Sequence, residues 1–304
     1  MDLIDLHTHT TASDGSYTPS EVVFAAYESG LAVVAITDHD NINGIEEAFK
    51  AGKGLPIEVV PGVEISVDAG FRGGMHMLGY CIDPSEPRLV AALERLQQAR
   101  AERNPQVVEK LNQLGLDITM DEVRACAGQG QIGRPHFAQV IIEKGYAKNR
   151  AEAFNRWLGA DKPAYVPKFK FKPDVAISLL RGAGGVPVLA HPGLLKLAFL
   201  RLESLIRELM ELGLEGVEAI YSEHNQALRK RLSDLAARLG LVITGGSDFH
   251  GDPKPDIKLG YGLGDLRVPK SLLMPLKQRA EKVAASRLDR LPVNQEEVSN
   301  QLKQ

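Results

Sequence analysis

Cysteine is nearly missing from this 304-residue chain, which has only Cys81 and Cys126. Two thiols that far apart build neither a disulfide framework nor a Cys-based zinc site. No stretch approaches the roughly 18 consecutive apolar residues of a membrane span. Basic charge is not in excess either: 36 Lys and Arg stand against 39 Asp and Glu, a net charge of −3. That balance argues against a protein that coats DNA or RNA and leaves room only for a local basic pocket. The opening MDLIDLHTHT has neither the basic nor the apolar region of a secretion signal, so the cytoplasm is the expected compartment. What the chain does have is 44% hydrophobic and 25% charged residues, enough for a real core.

Short, β-branched apolar runs recur at 3–6, 31–37, 57–63, 75–82, 186–190, 216–220 and 241–244. Several are nearly continuous, as in parallel strands covered on both faces. Helical patterns lie between them. One opens at Pro19 with Thr18 as its N-cap and stops at Gly30; two others stop at Gly213 and Gly240, where a left-handed C-cap is needed. This alternation predicts an α/β fold, and seven strands suit a barrel. From about 100 to 172 the periodicity is helical with only weak strand candidates, which predicts a helical insertion splitting the barrel into 1–99 and 173–285. Pro105 is expected to end one helix or begin the next. Residues 286–304 read as a polar, peripheral tail.

The placement of histidines and acids carries the functional signal. His7 and His9 end the first strand, His39 follows the second, Glu64 the third, and His76 lies in the fourth. His191 follows the fifth strand, His224 the sixth, and Asp248 and His250 the seventh. In parallel barrels the strand ends of one polarity open on one face, so these groups converge. Residues two apart on extended chain share a side, so His7 with His9, and Asp248 with His250, can each grip one cation. Asp14 is close enough in sequence to return over the same mouth. A mixed His and carboxylate set without thiolate suits Mn, Fe or Zn in a catalytic role. Nine or ten such groups are too many for one ion and imply two or three.

The segments IDLHTHTTASDGSYTPSEV, ITDHDN, PGVEIS, AHP and GGSDFHG, in this order, resemble the metal-binding motifs of the PHP (polymerase and histidinol phosphatase) superfamily. The resemblance covers nearly the whole chain, including IGRPHFA in the insertion. It is similar to stand-alone phosphoesterases of that family, among them 3′,5′-nucleoside bisphosphate phosphatases and 5′→3′ exoribonucleases. It implies a distorted (β/α)7 barrel, an insertion that caps the active site, and two or three divalent ions, often Mn2+, with Zn2+ or Fe2+ as alternatives. Position by position, it implies that His7, His9, Glu64 and Asp248 hold a first ion. Glu64 then bridges to a second ion held by His76 and His191, while Asp14, His39 and His250 hold a third. All nine positions carry ligand-competent residues.

The implied reaction is hydrolysis of a phosphate ester by hydroxide generated from water at a dication, with an ion or an acid assisting the departing alkoxide. Asp38, His191 and His224 are the candidate proton donors. Arg134 and His136, from GRPH, are candidates to hold a phosphate, since Arg forks onto phosphate oxygens; His224 is a further substrate-side candidate. The expected substrate is a phosphorylated nucleotide or short oligonucleotide, with no long nucleic-acid track and no membrane partner. Lys168, Lys170 and Lys172 alternate with Phe169 and Phe171, a pattern read here as a strand with one packed and one solvated face. A phosphatase of a non-nucleotide molecule such as histidinol phosphate stays open. So does a barrel amidohydrolase, although Glu64 and the Asp248–His250 pair favour phosphoester chemistry.

Overall fold

Seven strands, β1 (Ile4–Asp5), β2 (Val33–Ile36), β3 (Glu58–Val67), β4 (Met75–Tyr80), β5 (Val186–Leu189), β6 (Gly216–Tyr221) and β7 (Val242–Gly246), form one sheet in sequence order. The computed structural model describes residues 2–70, 74–128 and 130–288. The sheet curls into a nearly closed barrel, the α/β fold expected. At the seam Thr8 pairs with Phe249, and the Asp248 N–H donates to the His7 carbonyl at 2.8 Å. Side chains alternate along each strand. Val33 and Ala35 pack with Leu78, Val186 and Val188 inside the barrel, where Leu273 and Leu276 of the last helix join them. Val34 and Ile36 instead face the surrounding helices.

Among the described residues, ten α-helices surround or extend this barrel: α1 (Pro19–Glu28), α2 (Ile45–Gly52), α3 (Pro87–Gln113), α4 (Met120–Ala127), α5 (Arg134–Glu143), α6 (Arg150–Ala153), α7 (Pro173–Gly182), α8 (Phe199–Glu211), α9 (Gln226–Leu239) and α10 (Leu273–Leu288). The caps follow the sequence closely. Thr18 and Glu21 form a reciprocal capping box on α1, and Gly30, Gly213 and Gly240 all adopt positive φ.

Three expectations change. β4 runs antiparallel to both β3 and β5, so the barrel is not all-parallel. β3 continues through Glu64 to Val67, because its hairpin with β4 prolongs the ladder beyond the parallel part. Pro105 lies inside the single 27-residue helix α3. Pro lacks an N–H, so one intrahelical bond is lost there. Packing holds the helix straight through: Leu89, Leu93 and Leu96 bury against the barrel helices, while Val107 and Leu111 enter a separate core with Phe137, Ile141 and Leu158. α3 therefore joins the barrel's core to a second core built from residues 107–166. Of the tail expected from 286, residues 286–288 complete α10, and 289–304 lie outside the described residues.

Closure leaves no room for a side chain at the end of β7. A Cβ on Gly246 would stand 2.4 Å from both the backbone N and the Cβ of His7. Gly246→Ala is expected to destabilise the fold by about 1–3 kcal/mol and to push His7 out of place. Thermal unfolding and metal analysis of the variant check this; an unchanged Tm with full metal content would contradict it.

Candidate active site

Strand geometry places the first ligand-competent pair. His7 and His9 lie on one side of the chain, with Nε2 atoms 3.1 Å apart. Thr8 turns the other way and donates to the Ala35 carbonyl at 2.6 Å. Glu64, on β3, sits in the middle. Its Oε1 is 2.8 Å from His191 Nε2 and 2.9 Å from His76 Nδ1, and its Oε2 is 2.8 Å from His39 Nδ1. The antiparallel sense of β4 explains His76: it stands near the start of its strand, which lies at the same mouth as the ends of the parallel strands. Asp248 brings Oδ1 to 3.1 Å from His9 Nε2, and Asp14 brings Oδ1 to 3.4 Å from His250 Nε2. All nine expected groups meet in one basin.

Their contacts are not those of a finished hydrogen-bond network. Asp14 Oδ1, Glu64 Oε2, His9 Nδ1 and His39 Nδ1 are buried without a well-directed hydrogen bond, even though His39 Nδ1 and Glu64 Oε2 stand only 2.8 Å apart, a costly condition for polar atoms. Three groups have ligand atoms that all fall within 4.8 Å of one another: His9, Asp14, His39 and His250; His7, His9 and Asp248; and His39, Glu64 and His76. The residues fit divalent ions. Protonation agrees for most of the set. Burial opposes charge on Glu64, but His76, His39 and His7 outweigh it and hold the carboxyl well below its usual range. Asp14 and Asp248 are lowered in the same way, against burial, by neighbouring histidines and, for Asp248, first by Lys254. Burial drives His76 down to about 4, and burial with His250 and His39 pushes His9 well below its usual value. Ionised carboxylates and neutral imidazoles are the forms that ligate. His7 and His39 are raised instead: burial opposes their charge, but surrounding carboxylates overcome it. That surplus negative charge is what a dication would neutralise.

Other expected residues are placed differently. Asp38 is fully buried and accepts from Thr10 N–H at 2.7 Å, Thr10 Oγ1 at 2.8 Å and Ser13 Oγ at 2.5 Å. Both oxygens accept bonds that fix the loop carrying Asp14, while burial raises the Asp38 carboxyl above its usual range. His224 is buried too. Its Nδ1 lies 3.1 Å from the Ala219 carbonyl, which only accepts, and its Nε2 takes the Gly193 N–H at 3.0 Å. Those partners fix the tautomer and leave no proton or lone pair for a substrate. His191 sets Nε2 against Glu64, a ligand-like position. Arg134 lines the basin, donates to the Leu158 carbonyl at 3.0 Å and lies against the Phe154 and Tyr165 rings. His136 turns back on its own helix, where Nδ1 accepts the Gly133 N–H at 3.0 Å.

The basin opens into a cavity of about 260 Å³ between the barrel mouth and residues of α3, α5 and α6 with the 154–170 segment. Arg100, Arg103, Arg134, Lys168 and Lys170 form its basic wall. Asp40 organises two of them: its Oδ2 accepts from Arg100 at 2.6 Å and Lys168 at 2.8 Å. Lys168 and Lys170 lie on the cavity side while Phe171 is buried and Phe169 packs on the core, so the KFKFK strip has its packed face, but its other face looks into the basin. Apart from one bridge from Phe171 to Val67, the strip is extended chain rather than a strand. Arg100 and Arg103 were not anticipated; their i, i+3 spacing on α3 was the available signal. A larger groove of about 510 Å³, between α2 and α3, contains no histidine, lysine or arginine.

The chain is similar to known proteins over most of its length. The PHP domain family model matches residues 5–159. A 3′,5′-nucleoside bisphosphate phosphatase from Chromobacterium violaceum is 36% identical over 248 residues, covering 81% of this chain and 87% of that protein. A 5′-3′ exoribonuclease from Haemophilus influenzae is 35% identical over 259 residues, covering 85% and 93%. A solved structure from Bifidobacterium adolescentis, described as a metal-dependent phosphoesterase, superposes with a TM-score of 0.81 at 32% identity, covering 91% of this chain and 96% of that one. With its imidazoles and carboxylates gathered at the mouth of a seven-stranded barrel, the chain belongs to the PHP domain family and is a hydrolase of phosphate esters.

Proposed function

We propose that the enzyme hydrolyses a phosphate ester of a nucleotide that carries a second phosphate. The substrates in view are a 3′,5′-bisphosphonucleotide, which would lose its 3′-phosphate, and a short 5′-phosphorylated oligoribonucleotide. One observation carries this reading. Arg103 is 4% exposed, its Nη2 has no hydrogen-bond partner, and the charged groups acting on it most strongly are Arg100 and Arg134. Burial, reinforced by those two guanidiniums, pulls its pKa down to about 9. A buried cation without a counter-charge is costly, and a phosphate seated in the cavity would supply the missing charge. The wall therefore supports an anion site beside the ligand cluster, one place for the reacting phosphate and another for its companion. The names of the bisphosphatase and exoribonuclease relatives agree with a substrate of this kind.

In this reading His7, His9, Asp14, His39, Glu64, His76, His191, Asp248 and His250 hold two or three divalent ions, with Mn2+ first among the metals this donor set accepts. Bound ions supply water of lowered pKa and neutralise phosphoryl charge. The chain's own groups do the rest. Glu64 ties the ligand groups together from the centre. Arg103 and Arg134 hold the second phosphate, and Asp40 keeps Arg100 and Lys168 aimed at the same cavity. Asp38 holds the Asp14 loop in register. A substrate with a single phosphate, such as histidinol phosphate, would leave the Arg103 site unmatched.

Phosphate release from adenosine 3′,5′-bisphosphate, adenosine 3′-monophosphate and histidinol phosphate, and mononucleotide release from a 5′-phosphorylated short RNA, measured with Mn2+, test the assignment. The bisphosphate or the 5′-phosphorylated RNA is expected to give the highest kcat/KM; equal or better turnover of histidinol phosphate would defeat it. Arg103→Ala is expected to lower kcat/KM for the bisphosphate by about 10- to 100-fold, the range for a lost charged hydrogen bond, and to affect the 3′-monophosphate far less. Equal losses on both substrates would remove Arg103 from second-phosphate recognition. Glu64→Ala is expected to lose bound Mn2+ and at least about 100-fold in turnover, more than loss of an outer-shell partner costs. Full metal content and activity in that variant would contradict the central role given to Glu64.

A further inference from the structure

Behind the ligand cluster lies a fourth carboxylate that the chemistry above does not use. Glu218 is on β6 and fully buried. Its Oε1 is 2.8 Å from His7 Nδ1, and its Oε2 accepts the backbone N–H of His191 at 2.7 Å. One side chain thus touches two ligand positions that are 184 residues apart in sequence (191 − 7). We propose that Glu218 is a positioning residue for the metal centre: it fixes the tautomer of His7 and holds the His191 turn, so that Nε2 of both rings faces the basin. This rests on the reading of the cluster as a metal centre.

A carboxylate oxygen accepts, so in a neutral His7 ring the nitrogen 2.8 Å from Glu218 is the one that carries the proton. Nε2 then keeps its lone pair on the side where His9, Glu64 and Asp248 gather. The His191 contact addresses a different difficulty. His191 has φ 27° and ψ 58°, a left-handed backbone that a side chain with a Cβ disfavours by about 1–2 kcal/mol. Its N–H bond to Glu218 is one restraint on that turn. A second comes from the same strand and its following loop: His224 receives the Gly193 N–H and is itself bonded to the Ala219 carbonyl. β6 thereby grips the 191–195 turn twice, and only Glu218 also reaches His7. A carboxylate behind a metal-binding histidine is a known way to set ring orientation and basicity. Here the same carboxylate also restrains the backbone of a second ligand.

Glu218→Gln separates positioning from mere filling, since it keeps the shape and changes one acceptor into a donor. If the amide nitrogen faces His7, the ring must turn a lone pair toward it, which moves the proton to Nε2 and blocks ligation. If it faces His191, two N–H groups oppose each other and the turn is released. The expected result is a loss of Mn2+ affinity of about 10- to 100-fold by equilibrium dialysis with metal analysis, while the metal-free Tm changes little. Wild-type Mn2+ affinity in the variant would overturn the proposal. Long-range 1H–15N NMR of the wild-type protein loaded with diamagnetic Zn2+ decides the matter even if the variant does not fold: protonated Nδ1 on His7 supports it, and protonated Nε2 overturns it. Wild-type protein that takes up neither Mn2+ nor Zn2+ would overturn this proposal together with the metal-centre reading, whereas metal binding that is unaltered by Glu218→Gln overturns this one alone.

Discussion

Buried negative charge needs positive charge close by, and this barrel mouth is organised around that need. Asp14, Glu64 and Asp248 are buried among six imidazoles at separations of about hydrogen-bond length, yet several facing atoms have no hydrogen bond to make. A cluster of this kind is tolerable when cations sit among its lone pairs and costly otherwise. Among the described residues, no Lys or Arg enters the centre. Lys254 reaches only the outer oxygen of Asp248, at 2.5 Å, and Tyr221 shares that oxygen at 2.8 Å. Oδ1 of Asp248 is left on the side of His9 and His7.

The fold accepts local strain to make this arrangement. Among the described residues, five non-glycine positions have positive φ, and three of them are Asp40, His191 and Asp248, at 51°, 27° and 58°. Each follows the end of a barrel strand, where the chain must turn sharply to keep a side chain over the mouth. Strained backbone of this sort persists only where surrounding contacts over-determine it. Ser66 and the Arg100–Lys168 pair brace Asp40, and Glu218 braces His191. The Asp40 brace also fixes Arg100 and Lys168 of the basic wall.

Much of the site was legible in the sequence because its signals are local. His7-Thr8-His9 and Asp248-Phe249-His250 announce themselves through two-residue alternation, and strand-end placement gathers the rest. The direction of β4 was not legible, since an apolar run reads the same for either strand sense; only the hairpin register with β3 reveals it. For Asp38 and His224 the sequence shows only a polar residue beside the cluster, and the hydrogen bonds that hold each in place are tertiary facts. Arg103 was missed because charges on a long helix usually mean a solvated face, and burial against the insertion is a tertiary fact. Glu218 was missed likewise: one acid within an apolar strand carries no pattern until His7 and His191 are seen against it.

The account stands or falls on cations occupying the centre of the cluster. Anomalous scattering at the manganese edge, from crystals grown with Mn2+ and a non-hydrolysable 3′,5′-bisphosphonucleotide analogue, tests this most directly. The account predicts manganese peaks bounded by Asp14, Glu64 and Asp248, one phosphate against them and the other against Arg103. Absence of manganese from that centre at saturating Mn2+, with the histidines and carboxylates pairing only with one another, would contradict it.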